Sequence, residues 1–287
     1  MIIEKPYLNR ILAVIVLYNE SLESSITFQS LTESLKTNTR DGSKFRLVIY
    51  DNSPNPLKAV FNQYPLFSIT YKSDISNAGL SRAYNYASTI AEIEAFEYIL
   101  LLDQDTFLPK NILSLYSDAI EKYQYLNLFA PILKISNGIF LSPARFFLHR
   151  GFKTKIIPGV YPLSKYAPIN SGMLIKLSSF IEAGGYNDKV RLDFSDFQFI
   201  ECFRKRNKEF YVIDAICIQQ FSNVVNNFTQ IKTRFEFYCE GAKYAYKASL
   251  LDNFTYFMIV FMRCLALSIR TRKLIFFKTF YNKYISG

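Results

Sequence analysis

Three long apolar runs, each followed by a polar cluster, constrain the fold of this chain more than any other feature. Ile11–Leu17 reads ILAVIVL, residues 45–50 read FRLVIY and residues 98–102 read YILLL. Runs of that length without polar alternation are strands buried on both faces. A helix-compatible stretch covers residues 22–36, and a shorter strand covers 67–71. A second helix shows one apolar face at Leu80, Tyr84, Ala87 and Ala91, the spacing of 3.6 residues per turn. The order β-α-β-α-β with apolar strands predicts an α/β fold, a mostly parallel sheet flanked by helices. Ligands on such sheets bind beyond the carboxyl ends of the strands, where Asp51 and the pair Asp103 and Asp105 fall.

The remaining chain reads as strands over residues 126–175, interrupted by a Pro- and Arg-containing loop at 143–168. A helix rich in Phe and Ile begins near Ser195, and a strand follows at 210–213. From Ile231 the pattern is helical, basic and aromatic. The expected division is a main domain at 1–230 and a helical appendage at 231–287, within what 287 residues allow. The chain has 21 Tyr and 27 Phe, more than a core needs, so part of that surface should meet a membrane or a sugar. Of the net charge of +10, the segment from Lys232 onward carries most, with ten basic and three acidic residues. That imbalance suits an anionic partner. Nucleic acid is not expected, because these basic residues alternate with bulky aliphatics and sit on no recognisable module.

Cys202, Cys217, Cys239 and Cys264 form no C-x-x-C pair, which argues against a zinc or disulfide framework and for reduced thiols in a cytosol. Glu4 and Pro6 precede the first apolar run, so no leader peptide is expected there. The sequons at Asn227 and Asn253 are then chance matches. No membrane-spanning helix is expected either. The most apolar late stretch, 253–269, is interrupted by Arg263 and falls short of about 18 to 20 clean residues.

Asp103-Gln104-Asp105 places two carboxylates one residue apart at a strand end, an arrangement of hard oxygens that suits Mg²⁺ or Mn²⁺ on a diphosphate. Asp51 has two readings: an acceptor for the N3–H of a uracil or thymine ring, or an Asx-turn with Asn52-Ser53-Pro54. The cluster Asn77, Gly79, Arg82 and Asn85 also has two. Either a helix N-terminus offers its amides to a phosphate, or Asn77 caps that helix.

The order AVIVLYNE, IYDNS, SNAGLSRAYNYA, YILLLDQDTFLP, INSGMLI and GGYND resembles the bacterial family 2 glycosyltransferases over residues 10–220. It is most similar to their rhamnosyltransferase branch, where the strand-end triplet is typically D-Q-D. The resemblance implies a GT-A fold (a Rossmann-like sheet with flanking helices). It also implies a deoxythymidine-diphosphate-rhamnose donor and inverting transfer onto a growing surface polysaccharide such as O-antigen or capsule. By motif, Asp51 would bind the base with Asn19 near it. Asn77, Gly79, Arg82, Asn85, Asp103 and Gln104 would line the donor pocket, and Asp103 and Asp105 would hold the metal. Asn170, Ser171 and Gly172 would flank the acceptor. The motif aligns Asp196 with the general base, and Asp193 is the alternative.

This chain departs from the pattern twice: Gln198 stands where the branch often has Glu, and Gln219-Gln220 where a His commonly follows the next strand. The only histidine, His149, is expected at the surface or on substrate. The acceptor would be a lipid-linked oligosaccharide. The C-terminal segment would bind an anionic bilayer from the cytoplasmic side, or else cover the sheet or a homodimer partner. The alternatives for function are a uridine-diphosphate-sugar transferase and a catalytically dead glycan-binding scaffold of the same fold.

Overall fold

The computed structural model describes residues 7–38, 43–56, 63–220 and 227–286; the stretch around Glu4 and Pro6 lies outside them. The first half alternates as expected: β1 (Ile11–Leu17), α1 (Ile26–Asn38), β2 (Phe45–Asp51), β3 (Phe67–Ser73), α2 (Leu80–Ile93) and β4 (Tyr98–Asp103). Then come β5 (Thr106–Phe107), α3 (Ile112–Lys122), β6 (Leu128–Ile135), β7 (Phe140–Ser142), β8 (Ala144–Phe147), β9 (Arg150–Phe152), β10 (Gly159–Pro162), β11 (Tyr166–Ala167) and β12 (Met173–Lys176). The chain continues through α4 (Leu177–Glu182), α5 (Ser195–Phe203), β13 (Glu209–Gln219), α6 (Phe228–Tyr244), α7 (Leu250–Thr271) and α8 (Ile275–Phe280).

The main sheet runs β10-β13-β6-β12-β4-β1-β2-β3. β3, β2, β1 and β4 pair in parallel, as do β6 and β13, while β12 is inserted antiparallel between β4 and β6. All seven residues of β1 are buried, and alternate ones feed opposite layers. Ile11, Ala13, Ile15 and Leu17 pack with Phe28, Leu31 and Leu35 of α1 and with α3. Leu12, Val14 and Val16 pack with Ala83, Tyr84 and Ala87 of α2 and with Phe199 and Phe203 of α5. A strand covered by helices on both faces must be apolar at every position, which is why the sequence shows runs rather than alternation.

Three elements differ from the sequence expectation. The first helix starts at Ile26, because the serine-rich residues 21–25 form turns whose backbone bonds back on itself, Ser25 N to Ser21 O at 3.2 Å. The expected loop at 143–168 contains β8, β9 and β11, which make a small antiparallel sheet of their own, and β10, which edges the main one. β13 extends to Gln219 instead of stopping at Ile213. Beyond Asp214 its burial alternates, with Ala215, Cys217 and Gln219 inward, a one-faced pattern that an apolar-run search does not detect.

The C-terminal helices enclose a third cluster, including Phe235, Cys239, Tyr256, Val260, Cys264 and Phe276. Ser249 caps α7 in a capping box with Asp252, so the helix begins before the apolar run at 253 and reaches 22 residues. Its best 18-residue window has a mean hydropathy of 1.5, which corrects the expectation above: α7 is long and apolar enough, by length and composition, to cross a membrane. Here it packs against α6 and α8, with only 28% of that window buried.

Candidate active site

β4 carries Asp103 to the sheet edge, and the turn 104–105 returns the chain as β5, which pairs with the end of β13 through Thr106 and Gln219. Thr27 of α1 fixes this turn, its Oγ1 donating to Thr106 O at 2.9 Å and accepting from Thr106 N at 2.8 Å. The two carboxylates thereby share one mouth. Burial, and then the charge of Asp105, push the Asp103 carboxyl up to about 7, although Tyr84 Oη donates to its Oδ1 at 3.0 Å. Burial raises Asp105 as well, against the opposing contact of Gln219. Burial is also the chief cause that raises Glu20, with the Asp105 charge second.

Asp196 lies in the first turn of α5. Its carboxyl is raised well above the ordinary range by burial and then by the charge of Asp103, while the backbone amide of Asn170 opposes the shift. Its Oδ1 is buried without a partner. Asn170 Oδ1 accepts from Tyr186 Oη at 2.6 Å, and Ser171 Oγ donates to Thr106 Oγ1 at 2.7 Å. Gly172, at φ +90°, packs so closely on Pro131 that a Cβ would lie 2.6 Å from its ring. The 170–172 turn therefore joins the base of Asp196 to the back of the Asp103 turn. Asp193 faces elsewhere, held by both nitrogens of the Arg234 fork at 3.0 Å. Gln198 is buried, its Oε1 unpartnered.

At the end of β2, both carboxylate oxygens of Asp51 are occupied. Oδ1 accepts from Ser53 N at 2.9 Å and Oδ2 from Tyr71 Oη at 2.7 Å. The Asx-turn reading is thus realised. Asn19, at φ +53°, docks on the same turn, its amide donating to Ser53 Oγ at 2.8 Å. The Gln104 side chain clamps the end of β1: its Oε1 accepts from Tyr18 N at 2.6 Å and its Nε2 donates to Tyr18 O at 3.3 Å.

The cluster before α2 divides. Asn77 does not cap the helix with its side chain; Gly79 occupies the cap position at φ +89°. A Cβ there would lie 2.3 Å from Arg191 O, the same oxygen that accepts Leu80 N at 2.8 Å. Gly79 thus lets the helix start approach the strand of chain leading to α5. Arg82 remains half exposed, 3.7 Å from Asp74. Asn85 spends both amide hydrogens, on Tyr186 O and Asp188 Oδ1 at 2.7 Å each, and accepts Tyr186 N at 2.9 Å. Its polar groups hold the 184–188 loop rather than the mouth of the site.

His149 corrects a further expectation. Its side chain is 10% exposed, with Nε2 2.9 Å from Asp252 Oδ1, Nδ1 3.0 Å from Glu201 Oε1, and the ring stacked on Tyr256 at 4.5 Å. It is an interior bridge between α5 and α7, far from any surface role. Sequence reasoning also missed Tyr84 and Tyr186, counted only as helix face and loop residue, and Glu20, which was part of a quoted motif but given no role.

The donor set suits a hard divalent cation. The Asp105 charge adds to burial in raising the proton affinity of Asp103, and the adjoining Gln219 Oε1 is an orphaned buried acceptor. Among the described residues, no group of three or more His, Cys, Asp or Glu side chains is placed to hold a metal. Among the described residues, Asp103 and Asp105 are the two carboxylates of this turn.

No curated protein matches the sequence. Among solved structures, the crystal structure of S. aureus TarS 1–349 with UDP-GlcNAc is similar at TM-score 0.56 and 14% identity, over 81% of this chain and 65% of that one. GalNAc-T7 with UDP, GalNAc and Mn²⁺ gives 0.56 and 14%, over 93% and 58%. The mannosyltransferase PcManGT of Pyrobaculum calidifontis, with GDP-Man and Mn²⁺, gives 0.54 and 14%, over 88% and 69%. The chain thus spans under two thirds of the TarS structures, and these likenesses establish the GT-A fold. Residues 12–180, more than half of the chain, match the family described as Glycosyl transferase family 2, and the chain belongs to that family.

Proposed function

We propose that the chain is an inverting, nucleotide-sugar-dependent glycosyltransferase with Asp196 as general base. One observation carries the reading: the buried Asp196 carboxyl keeps one oxygen unpartnered and lies within reach of the Asp103 charge. A carboxyl with raised proton affinity is matched to taking a proton from an acceptor hydroxyl near neutral pH. In this reading Asp196 accepts that proton as the hydroxyl oxygen bonds to the anomeric carbon and the diphosphate leaves from the opposite face. Asn170 and Tyr186 hold the turn that positions Asp196, and Arg82, exposed at the α2 start, reaches the diphosphate. Asp103 and Asp105 would hold Mg²⁺ or Mn²⁺, which supplies charge neutralisation for the leaving group. TarS and PcManGT are solved with UDP-GlcNAc and with GDP-Man and Mn²⁺, which supports a nucleotide-sugar donor here.

For the donor we favour deoxythymidine-diphosphate-rhamnose, on the D-Q-D resemblance; a uridine-diphosphate sugar is the competing choice, favoured by the TarS likeness. The acceptor is read as a lipid-linked oligosaccharide of surface-polysaccharide synthesis, met at the cytoplasmic face of the membrane. The support is on α7, where Leu250, Phe254, Met258 and Met262 recur every fourth residue and are all exposed. Arg263, Arg270, Arg272 and Lys273 stand exposed beside them. An apolar stripe flanked by basic residues fits an anionic bilayer lying along the helix, so the segment 231–287 is read as the docking appendage. Flotation with phosphatidylglycerol vesicles should show binding that salt weakens; an unbound chain that is dimeric in solution would transfer the stripe to a homodimer interface.

A thermal-shift panel of deoxythymidine- and uridine-diphosphate sugars, with and without Mg²⁺ or Mn²⁺, tests the donor. A ligand at a hundredfold its dissociation constant adds about 2.7 kcal/mol of stability. A shift with one nucleotide sugar supports the reading and names the donor. No shift with any would leave the dead-scaffold alternative.

A further inference from the structure

Gln219 ends β13, 8% exposed and in register with Thr106 of β5. That pairing presents its carboxamide to the aspartate turn, with Nε2 3.5 Å from Asp103 Oδ2 and 3.4 Å from Asp105 Oδ1. One amide nitrogen thus spans two carboxylates, through contacts at the long limit of hydrogen bonding. The other end of the carboxamide, Oε1, is buried and has no partner, a state that native interiors seldom leave uncompensated. Among the described residues, no Lys, Arg or His lies within ion-pair distance of Asp103, Asp105 or Asp196. Within those described residues the acidic mouth has no side-chain cation of its own.

We propose that Gln219 is the third protein ligand of the divalent cation at Asp103 and Asp105, its carboxamide turning over so that Oε1 replaces Nε2 at the carboxylates. The proposal rests on the cation reading above. The two orientations have the same shape and differ by a half-turn about the last side-chain bond, so no backbone movement is needed. Ligand oxygens at about 2.1 Å in an octahedron sit about 3 Å apart, so spacings of 3.4 and 3.5 Å need only a small closure. Asp103 is already oriented for it, with Tyr84 holding Oδ1 and Oδ2 turned to Gln219. Without a cation, the amide hydrogens offset the two carboxylates. With one, a neutral hard oxygen completes the ligand set, and the orphaned acceptor finds its partner.

The test is Mn²⁺ binding to the full chain, followed by electron paramagnetic resonance with deoxythymidine or uridine diphosphate present. Gln219→Met keeps the volume and removes the oxygen; Gln219→His offers a nitrogen ligand. We expect the Met variant to bind Mn²⁺ at least about tenfold more weakly. The His variant should restore binding and show a directly bonded nitrogen in spin-echo spectra, absent from the native chain. Equal Mn²⁺ affinity in the native and Met proteins, at equal melting temperatures, overturns the proposal. Should the Met variant not fold, native affinity in the His variant without bonded nitrogen overturns it instead. A native chain that binds nucleotide sugar but no Mn²⁺ defeats this proposal and leaves the glycosyltransferase reading standing. Failure to bind either defeats both.

Discussion

His149 Nε2 lies 2.9 Å from Asp252 Oδ1, joining the turn between β8 and β9 to the capping box at the start of α7. The same ring reaches Glu201 of α5, the helix whose first turn carries Asp196. The bridge therefore ties the C-terminal helices to the wall of the site.

The bridge makes the attachment pH-dependent. The side-chain bond with Glu201 is the largest of the influences that raise the His149 pKa; burial opposes it, and Asp252 adds to it. Lys247 over Tyr256 and Arg204 beside Glu201 are the cations nearby. Because the folded pKa is raised, the stabilisation is fully present below the unfolded value of about 6.5 and is lost as pH rises through the folded value. Hydrogen exchange over α7 should accelerate from pH 6 toward pH 9 beyond the intrinsic rate, and His149→Phe should abolish that dependence. Protection that is flat with pH in the native chain would refute the bridge.

Gly79→Ala should destabilise the whole protein. The residue sits at φ +89°, and its Cβ would meet Arg191 O at 2.3 Å. Backbone strain of this kind costs about 1–3 kcal/mol, and the clash adds to it. A melting temperature unchanged from the native protein would show that the helix start can move aside.

Asn85→Ala separates structural support from donor contact. Loss of the three bonds to the 184–188 loop should lower stability by about 1–3 kcal/mol and leave donor affinity near native, as measured by calorimetry. The reverse pattern, native stability with lost donor binding, would return Asn85 to the pocket.

These positions show what the sequence carries and what it hides. β1, β2 and β4 were legible because burial on both faces forces unbroken apolar runs, and Asp51 and Asp103 followed as strand ends. Asp196 emerged only through the family motif, since one acid at a helix start resembles any other. Gln219 was recognised as a departure, but its contact with Asp103 and Asp105 depends on the half-exposed end of β13 and on pairing across 113 residues to Thr106. Tyr84 shows the same limit. Its spacing places it on the buried face of α2, and nothing in that spacing reveals that its hydroxyl ends on Asp103.

Asp193→Asn is the control for the base. Arg234 already occupies both its oxygens, so the change should weaken the seat of α6 and lower the melting temperature, with turnover per folded molecule largely kept. Turnover lost at unchanged stability would make Asp193 the base.

The central claim is tested most directly by Asp196→Asn, with donor affinity and sugar transfer measured on the same preparation. The amide keeps the size of the side chain and removes its capacity to take a proton. The account predicts donor binding near native and transfer reduced by about 10²–10⁴-fold. Transfer at the native rate would contradict it.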